Sequence, residues 1–294
     1  MPAHQASHET TMSHHPTSAK SVSADFRGIN LACGGKLCRE TGWTNADHNP
    51  SARDVRHVDL LAPLPFPDKT FNVVYHSQFI EHLPTELALA FMKECHRILK
   101  PQGVLRVVTP DLRNQALEYL RTLNAVLASP TDEKARLRYD WIRLEMLDQL
   151  TRHTPGGDMV GFLNSSGHRI QDYLWKRMGR SGKNLIPPSE DAGSGKSLKD
   201  GLRALRDGGR SLWGQMTPRA LRVGRFRLSG ESHLCMYDEY SLSALLAQSG
   251  FQHITKVGAL QSCIPDWNRT LLDCDEQGYP DGEVSLFMEA VRQA

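Results

Sequence analysis

The chain has 294 residues, of which 39% are apolar and 23% charged, and its formal net charge is +2. That length suits one large domain, or one domain with a sizeable insertion, and it buries enough surface to need no disulfide or structural metal. No stretch approaches the roughly 20 apolar residues of a membrane-spanning helix, and the N-terminus has no apolar leader core. The six cysteines, Cys33, Cys38, Cys95, Cys235, Cys263 and Cys274, make neither a CxxC pair nor a zinc-like spacing. Reduced thiols in a cytoplasmic protein are the expectation.

Residues 1–25 are rich in His, Ser, Thr and Ala without apolar periodicity, which predicts a disordered tail. His4, His8, His14 and His15 leave a lesser metal-binding reading open. From residue 28 to about 110, strand and helix signals alternate, as in a parallel sheet with crossovers. Ile29-Asn30-Leu31-Ala32-Cys33, stopped by Gly34-Gly35, reads as the first strand and its turn. Residues 44–47 and 55–60 supply the second and third strands, and the β-rich run 71–75 the fourth. Leu87, Ala90, Phe91, Cys95 and Ile98 fall near helical spacing over 86–99, and Pro101 and Gly103 end that helix. A fifth strand follows at 104–108.

Residues 112–150 read as helical. From residue 169 to 227 there are 14 Lys/Arg against 5 Asp/Glu, about +9, which leaves the rest near −7. Arg222, Arg225 and Arg227 suggest one face of an edge strand. A helix over 240–249, with Asp238 accepting from its first turn and Gly250 at its end, precedes strands at 251–257 and 284–291.

Open parallel sheets bind ligands beyond the carboxyl ends of their strands. Ala32, Cys33 and Gly34 follow strand one, where small residues let a backbone approach a ligand. Asp47 ends strand two, and its carboxylate suits a ribose diol. Asp59 and Leu60 end strand three, an acid and an apolar side chain suited to an adenine amine and ring. His76, Ser77, Glu81 and His82 follow strand four. Singly, each has a plainer reading: an ordinary turn, a helix cap, a solvated loop acid, a satisfied structural histidine. Four in register point to a site. A dehydrogenase is disfavoured, because Gly-x-Gly-x-x-Gly is absent and Asp47, 13 residues past Gly34, comes too early.

These pieces resemble the class I methyltransferases, and closely their type 11 group. The motifs are Ile29-Asn30-Leu31-Ala32-Cys33-Gly34, Gly42 to Asp47, Asp59-Leu60, the run Pro63 to Tyr75, Ile80-Glu81-His82-Leu83 and Arg97 to Arg106, within residues 28–112. The resemblance implies a Rossmann-like, doubly wound α/β fold. Its seven-stranded, mostly parallel sheet would have the last strand antiparallel, with a helical and basic insertion (115–232) after strand five. It implies S-adenosylmethionine as cofactor, with Gly34 against its methionine part, Asp47 on the ribose, Asp59 and Leu60 at the adenine, and residues 76–82 bordering the sulfonium. This chain departs from the pattern at Ala32, Asn30 and Lys36 in the glycine motif, at Asn72 for Asp, and at Gln102 for Gly. Quinone-pathway relatives hold magnesium on a Glu-x-x-Glu-His run; Gln78 replaces one carboxylate here, and no metal is expected.

Methyl transfer is an in-line displacement in which alignment does most of the work. An oxygen or nitrogen acceptor can also need a base, and His82, His233 and Asp111 are the candidates. The expected reaction is O-methylation of a small molecule, sugar or glycolipid intermediate. Two other readings remain: a binding module that kept the fold and lost chemistry, and an RNA methyltransferase using the basic segment 169–227.

Overall fold

The computed structural model describes residues 25–179, 185–186, 218–282 and 284–293. Apart from Asp25 the N-terminal tail, with its four histidines, lies outside the described residues, as does most of the basic stretch.

Seven strands form one sheet: β1 (Gly28–Leu31), β2 (Trp43–Asp47), β3 (Val55–His57), β4 (Phe71–Ser77), β5 (Leu99–Pro110), β6 (Gln252–Val257) and β7 (Ser285–Val291). Their order is β3-β2-β1-β4-β5-β7-β6. The first five run parallel, while β7 is antiparallel to both β5 and β6. Strand order reverses between β1 and β4, which opens a crevice beyond their carboxyl ends. This is the expected doubly wound sheet with its antiparallel last strand.

Alternation along the strands feeds two cores. Ile29, Leu31, Val74, Leu105, Val107 and Met288 pack toward α1 (Thr85–Ile98) and the C-terminal helix Glu239–Gln248. Val73, Tyr75, Val108 and Phe287 face the other way, onto Trp267 and Leu272 of the loop after β6. Each large apolar side chain buried in this way contributes about 1.5–3 kcal/mol.

Beneath that second face lies a buried charge cluster. Arg106 of β5, opposite Glu289 of β7 in the ladder, is fully buried. It donates to Asp273 at 2.7 Å, to Glu289 at 2.6 Å and to the carbonyls of Gly258, Ala259 and Gln261. Tyr75 and Trp267 also donate to Asp273, at 2.6 and 3.1 Å. The acids are thereby satisfied, as buried charges must be.

Between β5 and the last helix lie α2 (Leu112–Ala128), α3 (Glu133–Thr151), α4 (Gly157–Ser166), α5 (Gln171–Met178) and α6 (Arg219–Arg227); the last helix is α7 (Glu239–Gln248). The single helical run expected over 112–150 is broken at 129–132. Pro130 lacks an N–H, and Asp132 caps α3 by accepting from Lys134 and Ala135. Leu137, Trp141, Leu163, Tyr173 and Leu174 give these helices a core of their own. The edge strand expected from Arg222, Arg225 and Arg227 is instead α6. Arg222 and Arg225 are three apart, a helical spacing, and Pro218 stands just before the first turn. The capping expected of Asp238 is observed: it accepts from Ser241 N–H at 2.8 Å while the Ser241 hydroxyl caps back. Among the described residues no helix is long and apolar enough to cross a membrane.

Candidate active site

The turn after β1 sets the first wall of the crevice. Ala32 and Gly34 both lie in the left-handed region, at φ 53° and 50°. A side chain added at Gly34 or Gly35 would meet nothing within 4 Å, so the space above the turn is not filled by the protein. The Gly34 N–H donates to Asp47 Oδ2 at 2.8 Å, and Asn49 N–H donates to Asp47 Oδ1 at 2.7 Å. Each oxygen keeps a lone pair for a ligand hydroxyl. Asn30, in place of an acid, donates to the carbonyl of Lys36 and to Asn45, closing the loop from below.

A cavity of about 580 Å³ runs from this turn to the far wall. Its lining includes Ala32, Asp47 and Leu60 from the strand ends β1–β3, and His82, Ser232 and Leu234. That volume is in the range of small-molecule sites. Gln78, Phe79 and the segment from Arg227, the last residue of α6, to Gly230 also line the cavity.

The expected site residues divide. Ala32, Asp47, Leu60 and His82 meet in the cavity. Cys33 is buried beneath the turn, its thiol pushed up to about 11 by burial, so only its backbone belongs to the turn's surface. Asp59 is exposed and accepts from Leu61 N–H at 3.0 Å; Leu60 and Leu61 line the cavity, and Asp59 does not. Ser77 ends β4 half-buried, off the cavity wall. The side chain of His76 lies apart from these residues. It shares a strand face with Val74, is fully buried, and packs edge-on against Phe91 of α1 with centroids 5.2 Å apart. Burial takes its pKa down to about 3, and its ring has no access to the crevice.

The three candidate bases also separate. Asp111 caps α2 through Asn114 N–H at 3.2 Å and pairs with Lys256 at 3.0 Å, away from the cavity. His82 ends a 3-10 turn, Ile80–His82, that faces the cavity. His233 stands behind it, the rings 4.7 Å apart and perpendicular. The Glu81 carbonyl accepts from Leu234 and Cys235 N–H at 2.8 and 3.1 Å, and this holds the two histidines together.

Electrostatics at this corner follow from burial. Glu81 is fully buried; its Oε2 accepts from the Thr109 hydroxyl at 3.1 Å, and its Oε1 has no partner. Loss of solvent pushes its carboxyl up to about 8. His233 is brought down to about 3, chiefly by burial and then by the charges of His82 and Arg152. Burial also lowers His82.

Residues 31–107 match the family model described as a methyltransferase domain. A probable S-adenosylmethionine-dependent methyltransferase of Mycolicibacterium smegmatis is 47% identical over 58 residues, 20% of this chain and 21% of that one. A protein of the same description from Mycobacterium tuberculosis is 45% identical over 51 residues, covering 17% and 18%. The chain thus spans about a fifth of the length of the curated relatives it matches. A solved S-adenosylmethionine-dependent methyltransferase from Archaeoglobus fulgidus covers 90% of this chain and 86% of its own, at 12% identity and a TM-score of 0.38.

Residues 31–107 are thus similar to a methyltransferase domain, and within that part of the chain to probable S-adenosylmethionine-dependent methyltransferases. The residues present fit that cofactor: an unfilled space over Gly34 and Gly35, a carboxylate at Asp47 with free lone pairs, and the apolar side chain of Leu60. The turn, Asp47, Leu60 and His82 are all legible from strand ends. Gln78, Phe79 and the rim from α6 are not, because they are ordinary residues placed by the fold.

Proposed function

We propose that this chain transfers a methyl group from S-adenosylmethionine to a hydroxyl of a small-molecule, sugar or glycolipid acceptor. The observation that carries this reading is the cavity joining Asp47 to His82. When bound, the cofactor supplies an electrophilic methyl group on a sulfonium. Asp47 holds the ribose hydroxyls, Gly34 leaves room for the methionine part, and Leu60 covers one face of the adenine, with Asp59 beside it. Cys33 contributes backbone to the turn beside the crevice, and Ser77 ends the neighbouring strand. The acceptor enters from the rim formed by α6 and residues 228–230, within the insertion 115–232, and its hydroxyl meets the wall at His82. Its proton leaves there. His233 acts from behind, by fixing the His82 ring.

A displacement of this kind depends on alignment and on keeping water out. The apolar side chains of Phe79, Leu83 and Leu234 around the cavity serve the second need. All six cysteines are free thiols, which suits a cytoplasmic setting. To test the reading, the protein is incubated with methyl-labelled cofactor and host extract, and labelled products are identified. A labelled O-methyl small molecule or glycolipid supports it. Label found only in RNA, or in no compound, contradicts it.

A further inference from the structure

Behind the cavity wall the fold brings together side chains from two distant segments. Glu81 and His82 come from the turn after β4, and His233 from the segment before α7. One ligating atom from each lies within 4.8 Å of the others. Two of the three side chains are already oriented. The Ser232 carbonyl lies 3.2 Å from His82 Nδ1, which places the hydrogen of the neutral ring on that nitrogen. Thr109 donates to Glu81 Oε2, leaving Oε1 without a partner in a fully buried residue. The main chain of His233 is fixed by its N–H, which donates to the Gln149 carbonyl at 3.0 Å. Outer hydrogen bonds like those on the His82 ring and the Glu81 carboxyl fix ligand orientation in metal sites.

We propose that Glu81, His82 and His233 bind a divalent transition-metal ion of the zinc or cobalt class, with one coordination position open to the cavity. Two imidazoles and one carboxylate are ligands suited to such ions rather than to magnesium, which prefers oxygen. Ligand atoms around tetrahedral zinc stand about 3.3 Å apart, so shifts of about an ångström in these side chains complete the set. Three protein ligands and one open position form the pattern of catalytic rather than structural zinc. The ion also resolves the orphaned carboxylate oxygen, which is costly to leave buried. Arg152, whose charge acts on both histidines, is itself held by Asp148 at 2.8 Å. The inference deepens the reading above, since the open position lies where the acceptor hydroxyl meets the wall. An ion there lowers the pKa of a bound oxygen, so with the metal in place the ion takes over from the His82 ring the task of activating the hydroxyl, whose proton passes to solvent.

The test needs neither cofactor nor acceptor, so its failure leaves methyl transfer untouched. The full-length protein is stripped with a chelator and titrated with Co²⁺, and its visible absorption is recorded. The expected result is one equivalent giving the strong bands of four- or five-coordinate cobalt. In His233→Ala and Glu81→Gln, both checked for folding by circular dichroism, affinity should fall at least about tenfold. The histidines of the N-terminal tail stay in every protein compared, so binding lost in a variant belongs to the cluster. Only weak six-coordinate bands in the unmodified protein overturn the proposal, whatever the variants do. Equal uptake by a folded His233→Ala protein overturns it as well.

Discussion

The main-chain N–H of Gly34 donates to Asp47 Oδ2 at 2.8 Å, which ties the turn after β1 to the end of β2. This one bond aims the carboxylate across the crevice and holds the glycine turn open beneath it. This end of the cavity is therefore tied together by the protein's own hydrogen bonds, from Gly34 and Asn49 to Asp47.

The same turn contains a strained residue. Ala32 has φ 53°, a region that costs a residue with a Cβ about 1–2 kcal/mol. Ala32→Gly removes that strain but adds about 0.4–1 kcal/mol of unfolded-state entropy. We expect a net gain in stability of up to about 1 kcal/mol, measured by denaturant unfolding. Ala32→Val should be clearly destabilising, and equal stability of the two variants contradicts the strain.

The candidate bases make opposite predictions. His82→Ala should lower turnover at saturating cofactor by about 10²-fold or more. Asp111→Asn should leave turnover near that of the unmodified protein, because Asp111 serves as a helix cap and a partner of Lys256. A large loss in Asp111→Asn with none in His82→Ala reverses the assignment.

Arg106→Met leaves Asp273 and Glu289 buried without their cation. Breaking a buried pair in this way costs about 3–5 kcal/mol, which thermal or denaturant unfolding should register. A loss below about 1 kcal/mol, the size expected of an exposed pair, means that the cluster is less enclosed than the structure has it.

Glu94 offers a pH test. Its carboxylate accepts from Arg97 and from Leu64 N–H, and the Arg97 hydrogen bond, the largest cause, holds its pKa below 4.5. A depressed pKa gives stability that is present above the ordinary carboxylate range and lost as pH falls through the folded value. Glu94→Gln should therefore be less stable than the unmodified protein at pH 7, and the gap should narrow in acid. A gap that is constant with pH contradicts the ion-pair account.

Much of this architecture is legible in the chain because β1, β4 and β5 are apolar runs ended by turn residues. The departures from the family pattern also acquire a physical meaning. Ala32 and Gln102 both stand at positive φ, 53° and 64°, at the positions where the pattern has glycine. His76 reads as a crevice residue from its place after a strand, yet strict alternation from Val74 puts it under α1. The helix α6 is hidden by three arginines whose spacing fits more than one pattern. The meeting of His233 with His82 cannot be read from spacing, since about 150 residues separate them and tertiary packing alone joins them.

The most direct measurement is calorimetric titration of S-adenosylmethionine into the full-length protein and into Asp47→Ala. We predict one equivalent bound by the unmodified protein, and an affinity weakened in the variant by about 1.5–3 kcal/mol, the range for a hydrogen bond to a charged group. No binding to the unmodified protein, or the same dissociation constant in both, contradicts the account.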